Sequence, residues 1–141
     1  MRVTADDLLR DTDLIEIAIE SHVNNNSDYT YFKGCMVGLD SEIISFRAIK
    51  LILDRAEDTD SSEYLSWYLD DESLFNVNPI FAGAKYGGPY RFSLDNEQDF
   101  TLFTKIYEKF NPIVKIDVEE LKRYLDEIGY PTNFQHRMKL N

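Results

Sequence analysis

Two aspartates, Asp6 and Asp95, each stand just after a short β-prone run, at Met1–Ala5 and Tyr90–Leu94. In an open α/β sheet, ligands gather beyond the carboxyl ends of strands, so these are positions for ligand-facing carboxylates. The competing use is the helix cap, a role that aspartate also fills well. An anionic ligand would need local cations, and Arg2, Arg10, Lys33 and Arg91 are the candidates in so acidic a chain. For Arg91 the plain alternative is an ion pair with a nearby carboxylate. His22 and His136 read as surface residues. Cys35 has no flanking basic pair to lower its pKa and reads as a small core or loop residue. Gly87-Gly88-Pro89 forms a flexible loop, but lacks the basic partners that cradle phosphates.

The elements that must position these residues follow from periodicity and caps. A terminal strand is predicted to end near Asp6. Leu14, Ile17, Ala18 and Ser21 share a helical face over residues 13–24, capped by Asp11 or Thr12 and ended by Asn24-Asn25-Asn26. Tyr29–Lys33 and, after Gly38, Leu39–Ile44 read as extended runs. Ser45 can cap a helix to about Arg55 with Phe46, Ile49, Ile52 and Leu53 inward. Asp58–Ser62 is a polar turn and Glu57–Asp60 a solvated acidic run; Tyr64, Trp67 and Tyr68 mark a further helix. Phe75–Phe81 is a strand whose Pro79 points to an edge or a bend. After strand Tyr90–Leu94, Asp95 or Asn96 starts a helix with Phe100, Phe103, Ile106, Tyr107 and Phe110 as its core stripe. Asn111-Pro112 breaks it. The last helix has the clearest start: Asp117 as cap, Glu120 reaching back and Ile116 stapled onto Leu121, with Gly129 and Pro131 as its stop. Alternating strands and helices predict an α/β class with a largely parallel sheet.

The 141 residues, 43% of them apolar with nine Tyr and nine Phe, predict one globular domain spanning 1–141. Twenty-six acidic against 15 basic residues give a net charge of −11, which repels nucleic acid, and there is no basic cluster with interleaved aromatics. A single cysteine suits a reducing compartment. No segment reaches the ~18 apolar residues of a membrane span, so no membrane partner is expected. Asp6 and Asp7 fall where a signal peptide needs apolar residues, and the cytoplasm is the default.

Four segments, in order, carry a resemblance. They are Arg2-Val3-Thr4-Ala5-Asp6 with Asp11–Ile15 downstream; Asp28-Tyr29 with Gly38-Leu39-Asp40-Ser41-Glu42-Ile43-Ile44-Ser45-Phe46; Glu63–Leu69; and Arg91–Phe100. Together they span residues 1 to about 110 and resemble the C-terminal part of the sugar cytidylyltransferases of the spore-coat-polysaccharide and acylneuraminate type. The stretches at 38–46 and 91–100 are the most specific. Residues 111–141 then form a helical extension. Ala5 stands for the family's usual glycine, Asp7-Leu8 for a small residue and proline, Tyr64 for histidine and Asn96-Glu97 for Thr-Pro.

The resemblance implies a nucleotide-diphospho-sugar-transferase-like fold, with a mainly parallel sheet flanked by helices. It implies the reaction of CTP with a sugar acid to give a CMP-sugar and pyrophosphate, with Mg²⁺ as cofactor. By resemblance Asp6 and Asp95 are the metal carboxylates and Arg91 a catalytic residue facing a phosphate or the sugar carboxylate. Asp40 and Glu42 meet sugar hydroxyls or shape the pocket. The family's nucleotide loop, rich in Gly, Ser, Arg and Lys, lies well before the Arg-x-Thr-x-Asp segment and has no counterpart in these 141 residues. The expectation is therefore a truncated enzyme, inactive alone, lacking the N-terminal strands and associating with an N-terminal chain or as a homodimer. The alternatives are a non-catalytic binding or dimerisation module derived from that family, and an α/β interaction domain whose likeness is only local.

Overall fold

The sheet is organised around β1, Tyr29–Lys33, whose residues alternate between two apolar layers. In the computed structural model, which describes residues 1–55, 65–111, 115 and 117–130, three strands pair in the order β2-β1-β3. Strand β2 is Ile43–Ile44 and β3 is Val77–Phe81. β1 runs antiparallel to β2, with Tyr29 opposite Ile44, and parallel to β3, with Tyr29 opposite Val77 and Lys33 opposite Phe81. The class is α/β as expected, but the sheet is mixed rather than mainly parallel. The reason lies in the connections. Residues 34–42 contain no helix, so the chain turns back and pairs antiparallel. Strand β2 brings the chain back to the level of Tyr29; the longer path through α2, Phe46–Arg55, and α3, Leu65–Leu69, leaves and re-enters the sheet at that same end, so β3 starts parallel to β1. Pro79 sits in β3 at the edge of this sheet, where the missing N–H is tolerated.

The predicted strands at the amino terminus and at Tyr90–Leu94 shrink to isolated bridges: Arg2 with Glu42, Asp7 with Ser93, and Val37 with Arg91. Single backbone bonds of 2.8 Å hold each crossing, from Arg2 N to Glu42 O, Leu94 N to Asp6 O and Phe92 N to Val37 O.

Helix α1, Thr12–Asn24, starts at Asp11, whose carboxylate accepts from the N–H groups of Asp13 and Leu14. Leu14 and Ala18 are buried, while Ile17 is exposed. Helix α4, Glu97–Phe110, opens with a capping box between Asn96 and Asp99. Helix α5, Val118–Glu127, is capped by Asp117 as predicted, and Gly129 ends it at φ 65°.

One apolar cluster includes Leu14, Phe32, Met36, Leu39, Phe92, Ile106 and Leu125; the other includes Tyr29, Ala48, Ile52, Leu69 and Phe75. Two helices are rotated from their expected phase. In α2 the inward residues are Ala48 and Ile52, and Phe46 (74% exposed) and Leu53 face out. Ser45 both caps α2 and bonds Asp28, which turns Ala48 toward the sheet. In α4 the inward face is Asp99, Leu102, Phe103 and Ile106, leaving Phe100 and Tyr107 exposed. Here the capping box draws Asp99 inward and sets the phase.

Glu63, Tyr64, the acidic run at 57–60, Pro112, the Ile116 staple, Pro131 and His136 lie outside the described residues. Among the described residues, no helix is long and apolar enough to cross a membrane.

His22 is not the free surface residue expected. It is half-buried, with Nδ1 2.9 Å from Thr30 Oγ1, and burial lowers its pKa. Its unfolded value is ~6.5, so between the folded pKa and that value the unfolded chain binds more protons. Its contribution to stability is complete above about pH 6.5 and is lost as pH falls below it. Urea midpoints measured between about pH 7.5 and 5.5 should therefore fall less steeply for His22→Gln than for the parent chain.

Candidate metal and ligand site

Along the extended segment after Tyr90, residues two apart share a side, which aligns Arg91, Ser93 and Asp95. Ser93 Oγ lies 3.2 Å from Asp6 Oδ2 and 3.3 Å from Asp95 Oδ2. A hydroxyl has one proton to donate, so it serves one carboxylate at a time. The structure thus brings Asp6 and Asp95 within two hydrogen-bond lengths of each other, on either side of one oxygen. Burial pushes the Asp6 carboxyl up. Its own backbone N–H, the hydroxyls of Thr4 and Ser93 and the charge of Arg10 outweigh this and hold it below the usual carboxylate range.

Arg91 joins the same group. Its guanidinium pairs with Asp95 through Nη2 and reaches Asp99 Oδ2 through Nη1 at 3.2 Å. Asp99 is buried and also accepts from the N–H groups of Asp95 (2.9 Å) and Asn96 (3.2 Å). From the other side, the hydroxyl of Tyr130 donates to the Arg91 carbonyl at 2.8 Å. Tyr130 packs on Tyr90 with ring centroids 5.8 Å apart, and the Tyr90 hydroxyl donates to Asp126, so the end of α5 is pinned to this segment.

Asp40 and Glu42 form a neighbouring group. Glu42 pairs with Arg2 at 2.6 Å and accepts from the hydroxyl of Tyr29. Asp40 is half-buried. Burial raises its pKa most, its own backbone N–H and Arg10 oppose this, and the charges of Glu42 and Asp7 add to it. Arg10 Nη2 donates to Asp7 Oδ2 at 2.5 Å and to Thr4 Oγ1 at 3.0 Å. Its Nε is buried with no hydrogen-bond partner among the described residues, as is Ser41 Oγ. Arg10 therefore stands within electrostatic reach of both Asp6 and Asp40 with a donor to spare. Cys35 packs against the core, and burial, then Asp40 and Asp11, push its thiol up to about 12. That suits the inert role expected of it.

Among the described residues, no group of three or more His, Cys, Asp or Glu side chains is assembled to hold a metal alone. Two carboxylates beside a hydroxyl do fit Mg²⁺, which takes one or two carboxylates and fills its shell with water and phosphate oxygens.

The sequence reading missed Ser93, Asp99 and Tyr130. The period-two spacing of Arg91, Ser93 and Asp95 was a usable signal for the first, and the Asn96-x-x-Asp99 capping box for the second. Tyr130 had none, because its role depends on how α5 docks.

Neither a family model nor a solved structure matches the chain. A curated relative from Bacillus subtilis, the spore coat polysaccharide biosynthesis protein SpsF, is 24% identical over 127 residues, which is 86% of this chain and 52% of that protein. The chain is a distant relative of SpsF. An uncharacterized protein of Methanocaldococcus jannaschii is 27% identical over 131 residues, covering 90% of this chain and 53% of its own length. The chain thus spans about half the length of SpsF and of the archaeal protein. A match to SpsF of that extent is consistent with the expectation drawn from residues 38–46 and 91–100.

Proposed function

We propose that this chain is the metal- and sugar-facing half of a sugar nucleotidyltransferase, joining CTP and an acidic sugar to give a CMP-sugar and pyrophosphate for polysaccharide synthesis. The observation that carries this reading is the convergence of Asp6 and Asp95 on Ser93, from opposite parts of the sequence. When bound, Mg²⁺ would offset the negative charge that builds on the phosphate oxygens. Asp6 and Asp95 would hold it. Arg91 would face the phosphate or the sugar carboxylate. Asp40 and Glu42 would meet the sugar hydroxyls. Among the described residues no Gly-rich basic loop is placed to cradle a triphosphate, so in this reading the chain works with a further nucleotide-binding part and is inactive without it. The likeness to SpsF supports the family assignment.

Titration of the chain with Mn²⁺, followed by electron paramagnetic resonance, tests the site. Asp6→Asn and Asp95→Asn should each weaken binding about tenfold or more, because each removes one of only two carboxylate ligands. Equal affinity in all three proteins would sink the reading. A non-catalytic dimerisation module is the second reading, favoured by the outward-facing Phe46 and Leu53 of α2. A tight dimer by sedimentation, with no Mn²⁺ binding, would support it instead.

A further inference from the structure

One oxygen of Asp95 has two claims on it. Oδ2 faces the Ser93 hydroxyl, on the side shared with Asp6, and the same Oδ2 is paired with Arg91 Nη2. The guanidinium therefore sits where a cation held by Asp6 and Asp95 would draw its charge partner. Arg91 also has a second anchor. Its Nη1 lies 3.2 and 3.3 Å from the two oxygens of Asp99. Asp99 cannot easily follow Arg91, because its carboxylate is buried and bonded to the N–H groups of Asp95 and Asn96 within the α4 cap. Asp95, by contrast, is 42% exposed at its side chain and precedes the helix. One guanidinium thus lies between a fixed carboxylate and an accessible one.

We propose that Arg91 is a built-in counter-ion that competes with the metal for Asp95, and that Asp99 is the positioning residue that receives Arg91 when the metal takes its place. The inference rests on the metal reading of Asp6 and Asp95. With no metal, Arg91 neutralises Asp95 and keeps two carboxylates from facing each other uncompensated. Once a divalent cation binds, like charges separate, and Arg91 shifts its weight to Asp99. Its outer edge then becomes available to an anionic group of the substrate. Arg91 and Asp99 would so link metal occupancy to anion binding, with no movement of the backbone.

The test uses Mn²⁺ affinity in the whole chain, without turnover. Arg91→Gln should bind Mn²⁺ about two- to fivefold more tightly, the range expected from removing a partly exposed ion pair. Asp99→Asn, which keeps an oxygen for the cap, should bind it more weakly by a similar factor, since Arg91 then loses its buried counter-charge and leans more on Asp95. The double variant should return to the Arg91→Gln level. A purely structural Asp99 would instead lower affinity in the Arg91→Gln background as well, and that result overturns its assignment. Unchanged or weaker binding in Arg91→Gln overturns the competition. If Asp6→Asn and Asp95→Asn abolish binding while Arg91→Gln does not raise it, this inference alone fails. If those two variants change nothing, the metal reading falls and takes the inference with it.

Discussion

Replacing Gly38 by alanine should cost about 2–5 kcal/mol of stability, from steric overpacking and backbone strain combined. Gly38 has φ 92°, a conformation that side chains rarely adopt. A Cβ there would meet Phe92 O at 2.3 Å and Phe92 C at 2.6 Å. Neither contact is the loose end of a side chain. Phe92 is fully buried, and its N–H is bonded to Val37 O at 2.8 Å, so the two segments are held together where the methyl would go. Relief requires the 91–93 backbone to retreat, and Ser93 would move with it. Gly38→Ala should lower the urea midpoint and weaken Mn²⁺ binding together. A variant with the parent midpoint would show that the close approach is not a real constraint.

Asp28→Ala should be comparably severe, at about 3–5 kcal/mol, because it undoes several hydrogen bonds at one buried junction. The Asp28 carboxylate is almost wholly buried. It accepts from Ser45 Oγ at 2.8 Å, Arg47 Nε at 2.9 Å and the N–H of Asn76 at 2.9 Å, and also pairs with Arg47 Nη2. Its backbone adds two more links, from Asp28 N to Asn76 O and from Ser45 N to Asp28 O, each 2.8 Å. One residue thus fastens the start of β1, the start of α2 and the lead into β3. Alanine would strand these donors, and thermal unfolding should drop by roughly 10 °C. Arg47→Ala should cost less, about 1–3 kcal/mol: it leaves the buried Asp28 carboxylate without its counter-charge but still bonded to Ser45 and Asn76, and the arginine itself is 62% exposed. Similar losses for both variants would contradict this division.

What was legible in the sequence depended on range. Caps are local chemistry: Ser45 and Asp117 cap as their residue types predict, and Asp11 and Asn96 are each one of the two candidates the sequence offers. Tyr29–Lys33 was readable from its β-prone run, and the edge position of β3 from Pro79. Helix phase was less so. Apolar spacing alone favours Phe46 and Phe100 as inward residues, but the Asn96–Asp99 capping box sets the phase of α4, and in α2 the cap residue Ser45 is held by Asp28, 17 residues away. Sheet direction failed for a related reason: alternation counts elements but does not say which connection carries a helix. At the candidate site the carboxylates were visible as residue types after β-prone runs, although those runs form only isolated bridges. Their convergence was not, since it depends on Ser93 and on a crossing of segments that leaves only one bridge behind.

The placement of Asp6 and Asp95 has a thermodynamic corollary. Their carboxylates are neighbours only once the chain has folded; in the unfolded ensemble they are dilute and independent. Any ion that needs both is therefore a ligand of the native state alone, and mass action makes it a stabiliser whose effect grows with the logarithm of its concentration. Occupancy of this pair and integrity of the distant core become one coupled equilibrium.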